Sequence, residues 1–144
     1  MTFLPRRVTD AVSVAPQIAS ADLPEIKAAG FVAVVNNRPD DEEPGQPSGA
    51  AIRAAAESAG LAYAEIPVTG AGFSHPQLDA MARAVDAGGP VLAYCRSGTR
   101  SCNLWALAEA KGGADPAGLV AAAQNAGYDL SAIRPLLDAL SGRA

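Results

Sequence analysis

FVAVV, residues Phe31 to Val35, is the feature that most narrows the folds open to this chain. The run is strand-length, β-branched and without polar alternation, which is how a strand buried on both faces reads. Such a strand needs helices above and below it, and therefore a mostly parallel sheet. The rest of the chain agrees. Thr9 to Ile18, with VSVAPQI, reads as a short irregular strand broken by Pro16. LAYAEIPV (Leu61 to Val68) and PVLAY (Pro90 to Tyr94) are two further strands. Helical patterns separate them. One runs through Leu23, Ile26 and Ala29, capped by Ser20 or Asp22 and closed by Gly30. The next, Ala-rich, runs from Ser48 to Gly60. A third is capped by Ser74, has Pro76 in its first turn, and carries the apolar stripe Leu78, Met81, Ala82 and Val85. CNLWALAEAKGG follows the last strand, and two more helices are expected at Pro116 to Ala126 and from Leu130 or Ser131 to Leu140. The expectation is an α/β fold: a central, mainly parallel sheet of four to five strands flanked by helices. The length, 144 residues, predicts a single domain over 1–144.

In such a sheet, ligands bind beyond the carboxyl ends of the strands. Three loops qualify, starting at Asn36, Thr69 and Cys95. The third is the most informative. The apolar run VLAY ends in a cysteine, and CRSGTRS follows before a helix. Successive backbone N–H groups in such a loop form an anion-binding nest, and the helix start adds unsatisfied donors and positive dipole. A cysteine at the base of that cup is expected to ionise readily and act as a nucleophile. Gly98 supplies a backbone conformation other residues resist. Arg96 and Arg100 are placed to grip an oxyanion. Ser97, Thr99 and Ser101 add hydroxyls, and Ser101 also suits a helix cap. Arg38, on the loop after FVAVV, is a further anion-binding candidate, with loop support as its alternative. Cys95 and Arg100 are the expected catalytic pair.

Composition narrows the substrate and setting. The net charge is −4 and no basic cluster stands out, so no nucleic-acid partner is expected. No run of 18 or more apolar residues predicts a membrane span. MTFLPRRVTD lacks the apolar core of a secretory signal. Two cysteines in this chain make no disulfide framework, and a cytoplasmic location is the expectation. Two cysteines and one histidine without a CxxC pair predict no metal site, and no cofactor is expected.

CRSGTR resembles the active-site loop of rhodanese-type sulfurtransferases and, one residue shorter, that of cysteine-dependent phosphatases. More broadly, VSVAPQI, FVAVVNNRPDDE, AEIPV and VLAYCRSGTRS resemble the family of beta-lactamase hydrolase-like protein, phosphatase-like domains. The likeness runs roughly from Val8 to Gly112. It implies a dual-specificity-phosphatase-like fold. Some members are fused to, or encoded beside, sulfide-handling enzymes, which implies persulfide chemistry.

Two features lean toward sulfur transfer. The phosphatase signature has His before Cys and five residues before Arg; here Tyr94 precedes Cys95 and only four residues intervene before Arg100. A phosphatase also needs an acid for its leaving group. TGAGFSHP, residues 69–76, carries no carboxylate, only His75. Asp40, Asp41, Glu42 and Glu43 lie on the other loop and read as a solvated acidic run or a source of an acid. Sulfur transfer to or from a good leaving group needs none. The reading is therefore a sulfurtransferase in which Cys95 carries a persulfide from thiosulfate or a small persulfide to a thiol acceptor. The alternatives are a phosphatase working through a Cys95 phosphoenzyme and a non-catalytic anion-binding module. Cys102 is either a resolving cysteine or, preferably, a small core residue beside Leu104, Trp105 and Leu107.

Overall fold

The computed structural model describes residues 3–142. Residues 1, 2, 143 and 144, the ends of the expected 1–144 domain and of the leader reading, lie outside the described residues. Among the described residues, five strands form one sheet: β1 (Arg6–Arg7), β2 (Val12–Ala15), β3 (Ala33–Asn36), β4 (Ala62–Glu65) and β5 (Val91–Tyr94). Their order is β1-β2-β5-β3-β4, with β1 antiparallel to β2 and every other pairing parallel. Among the same residues, six α-helices surround it: α1 (Leu23–Ala28), α2 (Gly49–Ser58), α3 (His75–Val85), α4 (Thr99–Lys111), α5 (Pro116–Asn125) and α6 (Arg134–Ser141).

β2, β3 and β5 are buried at every residue, so their side chains pack on both faces. One face holds Val14, Val35, Ala93, Leu104, Trp105 and Leu107 against α3 to α6. The other holds Ile18, Leu23, Ile26, Val34, Ile52 and Leu92 against α1 and α2. This is the three-layer solution expected of a sheet with two apolar faces. β4 is the exception. It is an edge strand of exposed and half-buried residues, which the apolar look of LAYAEIPV did not foretell.

The local punctuation explains the boundaries. Pro16 follows β2 at once, where its missing N–H would break a ladder. The Ser48 hydroxyl accepts the Ala51 N–H at the start of α2. Ser74 and Gln77 form a reciprocal capping box at α3, 3.4 and 2.7 Å long, an arrangement worth about 1 kcal/mol. The first predicted helix is split: residues 20–22 form a 3₁₀ turn before α1, and the Asp22 carboxylate accepts the Ala19 N–H at 2.8 Å. Leu130 onward behaves similarly, with a 3₁₀ turn at 131–133 before α6. β1 is too short to leave a periodic signal.

No helix among the described residues is long and apolar enough to cross a membrane.

Candidate active site

β5 lies between β2 and β3, so the loop that leaves it opens between the loops leaving those two strands. Cys95 is the first residue of that loop. It is 1% exposed, and its Sγ accepts the Gly98 N–H at 3.1 Å. Gly98 is the residue before α4 and has φ +93°, in the left-handed region where a Cβ is costly. A Cβ there would also overlap the Tyr128 hydroxyl. Glycine is therefore required at this position twice over. The turn it makes sends the chain into α4 and brings its own N–H back onto the sulfur.

The other expected site residues separate into groups. Arg96 is exposed, its side chain 71% accessible, with Nη2 3.9 Å from Glu43. Its carbonyl accepts the Gln17 N–H from the loop after β2. Ser97 and Thr99 face solvent and bond one another, Oγ to Oγ1, at 3.0 Å. The Thr99 N–H donates to Ser97 Oγ at 3.4 Å, so that serine, rather than Ser101, serves the helix start. Ser101 lies inside the first turn of α4, fully buried, and its hydroxyl has no hydrogen-bond partner among the described residues. It is not the helix cap, because α4 begins three residues earlier than a Ser101 cap would require.

Arg38 is buried, with its side chain 1% exposed. Its Nε donates to Glu42 at 2.8 Å, Nη2 to Glu43 at 3.0 Å and Nη1 to Gln17 at 3.1 Å. Those partners engage it as a loop support, the second of its two expected roles.

Arg100 is held differently. Nη1 and Nη2 donate to the two Glu42 oxygens at 2.7 and 2.8 Å, and Nη1 also donates to the Val68 carbonyl at 2.8 Å. That leaves Nε–H and one Nη2–H for the cup. The guanidinium is held above its ordinary value by the Glu42 hydrogen bonds, against partial burial, with the Cys95 sulfur adding to the effect. Loops from β2, β3 and β4 thus all converge on the loop from β5.

Glu42 is the residue that sequence reasoning undervalued. As part of DDEE it reads as one of four solvated acids; in the structure it bridges Arg38 and Arg100. The only trace in the sequence is its spacing of four from Arg38. Its carboxyl is lowered to about 2, first by the Arg100 hydrogen bond, with burial opposing and Arg38 helping. Because the folded value lies below the ordinary 4.5, ionised Glu42 stabilises the fold above about pH 4.5. That contribution is lost as pH falls from 4.5 through about 2. Urea unfolding of wild type and Glu42→Gln across this range should show it: the variant starts weaker at neutral pH and the two midpoints converge toward pH 2. Midpoints that stay parallel would mean the ion pair contributes nothing to folding.

Asp40 accepts the Gly49 N–H at 2.8 Å and so is committed to the start of α2. His75 is the exposed first residue of α3 and borders a small hollow lined by Phe73, Leu78, Leu107, Leu136 and Leu140. Cys102 is fully buried on α4, and burial, with Cys95 nearby, pushes its thiol up to about 12. It is a protonated core thiol in this state. Among the described residues, no group of three or more His, Cys, Asp or Glu is arranged to hold a metal ion.

A family model described as beta-lactamase hydrolase-like protein, phosphatase-like domain, matches residues 5–114. A beta-lactamase hydrolase-like protein of Agrobacterium fabrum is 40% identical over 108 residues, 74% of this chain and 25% of its own length. The chain therefore spans about a quarter of that curated relative. A candidate phosphatase from Neisseria meningitidis Z2491, solved as a crystal structure, is 33% identical; the match covers 93% of this chain and 96% of that one, with a TM-score of 0.80. Tk-PTP in its active form shares the fold, with a TM-score of 0.71 at 23% identity over 97% of each chain. The fold is thus α/β and cysteine-phosphatase-like, as expected. Since the matched residues include the whole sheet and the cysteine loop with its helix, the chain belongs to the family of beta-lactamase hydrolase-like protein, phosphatase-like domains.

Proposed function

We propose that the chain is a cysteine-nucleophile enzyme that takes a group from a small anionic substrate onto Cys95. One arrangement carries this reading: a buried thiol bonded by the Gly98 N–H at the start of α4, with the Arg100 guanidinium alongside. Packing alone needs neither the left-handed glycine nor the aligned arginine. A pure anion-binding cup would need no cysteine at its base.

The fold and the relatives support a phosphoryl group. In that chemistry the Cys95 thiolate attacks phosphorus, the bond to the leaving oxygen breaks, and water then cleaves the S–P bond to release phosphate and regenerate the thiolate. Arg100 and the loop amides hold the equatorial oxygens. The site restricts the leaving group. Residues 69–74 carry no carboxylate, and Glu42, at about 2, is protonated in only about one molecule in 10⁵ at pH 7. With no carboxylate on that loop and Glu42 ionised, the favoured phosphoesters are those whose leaving group is stable as an anion.

That same observation favours a second reading, sulfur transfer. Cys95 thiolate attacks the outer sulfur of thiosulfate or a small persulfide. The S–S bond breaks, sulfite or thiolate leaves with the electron pair, and Cys95 keeps the sulfur as a persulfide. An acceptor thiol, as its thiolate, then attacks that outer sulfur, the S–S bond to Cys95 breaks, and the Cys95 thiolate is restored. No proton is needed at either step.

Intact-protein mass spectrometry separates the two. Wild type and Cys95→Ser are incubated with thiosulfate or glutathione persulfide, and in parallel with an aryl phosphate while free phosphate is measured. Phosphate release that needs Cys95, with no sulfur adduct, supports the phosphatase. A one-sulfur adduct on Cys95 that cyanide or thiol removes, without phosphate release, overturns it in favour of sulfur transfer.

A further inference from the structure

We propose that Tyr128, from the connection between α5 and α6, is a positioning residue for the nucleophile. Its hydroxyl clamps the Ser97–Gly98 peptide so that the Gly98 N–H faces the Cys95 sulfur. This rests on the reading of Cys95 as nucleophile, and it concerns a residue outside the 5–114 match to the family.

Two hydrogen bonds act on one peptide unit. The Tyr128 hydroxyl donates to the Ser97 carbonyl at 3.0 Å, and the Gly98 N–H donates to Cys95 Sγ at 3.1 Å. In a trans peptide the C=O and N–H point in opposite directions. Holding the carbonyl outward therefore holds the N–H inward. A turned-over peptide would aim the Ser97 oxygen, an acceptor, at a thiolate. Glycine makes that turn sterically cheap, because Gly98 has no Cβ to resist it. The residue that the loop geometry requires is thus also the one that leaves the loop in need of an outside restraint. Donation to the carbonyl also polarises the amide and strengthens its N–H as a donor.

The clamp is itself anchored. α5 ends with the Gly127 N–H on the Gln124 carbonyl and the Tyr128 N–H on the Ala123 carbonyl, the two bonds of a Schellman turn. Gly127 has φ +95°, and a Cβ there would meet Arg6 Nη1 at 2.7 Å. Arg6 donates to the Ala126 carbonyl at 3.3 Å, and its guanidinium lies 5.8 Å from the centre of the Tyr128 ring. The edge strand β1 therefore braces the tyrosine from behind. Burial raises the Tyr128 phenol above its ordinary value, so it keeps its proton where thiols ionise.

Tyr128→Phe keeps the ring and removes only the hydroxyl. The readout is the rate of Cys95 alkylation by iodoacetamide as a function of pH, assigned by peptide mapping. The expected result is an alkylation rate at pH 7 about three- to tenfold lower, with the profile moved to higher pH. Faster hydrogen exchange at the Gly98 amide should accompany it, with little change in thermal midpoint. A lower midpoint with an unchanged alkylation profile would mean that Tyr128 only packs, and would overturn the proposal. If Tyr128→Phe does not fold, Arg6→Ala replaces it: a twofold or larger fall in rate supports the clamp, and an unchanged profile overturns it. Iodoacetamide needs no substrate, so failure to turn over a phosphoester or a sulfane donor leaves this result standing. Wild-type Cys95 reacting no faster than a free thiol would overturn the nucleophile reading and the clamp with it.

Discussion

Cys95→Ser is expected to lower turnover of whichever substrate the enzyme accepts by about four orders of magnitude or more, without loss of fold. The side chain is nearly the same size and is buried at the end of β5, so packing changes little. What changes is the nucleophile. A thiol gives up its proton far more readily than a serine hydroxyl does, and among the described residues no base is placed to remove the hydroxyl proton. His75, the single histidine in the sequence, is exposed at the start of α3 rather than bonded to Cys95. The variant should still bind an anion, because the Gly98 turn, the start of α4 and Arg100 all remain. Steady-state kinetics and anion binding by calorimetry, made on the same preparation, check both halves. Turnover within tenfold of wild type would remove Cys95 from the chemistry altogether.

Arg100→Lys is the second large effect expected. The charge is kept, but the fork is lost. Arg100 serves Glu42 with two nitrogens, Val68 with one, and the cup with what remains. A lysine ammonium is a point donor and cannot span both Glu42 oxygens while also facing the sulfur. The expected loss is about 10²- to 10³-fold in kcat/KM, the scale of losing one preorganised donor on a developing charge. Glu42→Gln should show a smaller loss in the same direction, because the fork then has one weaker anchor. If Arg100→Lys moved only KM, the arginine would be a binding group for the ground state and nothing more.

Much of the fold was legible from the residues. FVAVV and PVLAY are continuous apolar runs, and from them come β3 and β5, both buried on two faces, although Phe31 and Val32 lie half-buried before β3 begins. Ser48 and Ser74 announced their helices, because a cap is decided within three or four residues. The cysteine loop stood out for the same reason: strand end, glycine and helix start are neighbours in sequence. LAYAEIPV looked as buried as the others but became the edge strand, since neighbours in a sheet are not neighbours in the chain. β1, two residues long, left no pattern to read.

The candidate site divides along the same line. By itself the sequence determined the alternation of strands and helices, the placing of Cys95 at a strand's carboxyl end, and the need for glycine at Gly98. These are local matters of periodicity, capping and backbone sterics. Only the tertiary structure decided that Arg38 braces the loop after β3 and that Glu42 holds Arg100. It also decided that Ser101 is buried rather than capping a helix, and that Tyr128 reaches the Ser97 carbonyl across 31 residues. Each follows from the strand order, which sets β5 between β2 and β3 and so gathers the loops around Cys95. That order is settled by the burial of two apolar faces summed over the whole chain. No short stretch of residues carries it.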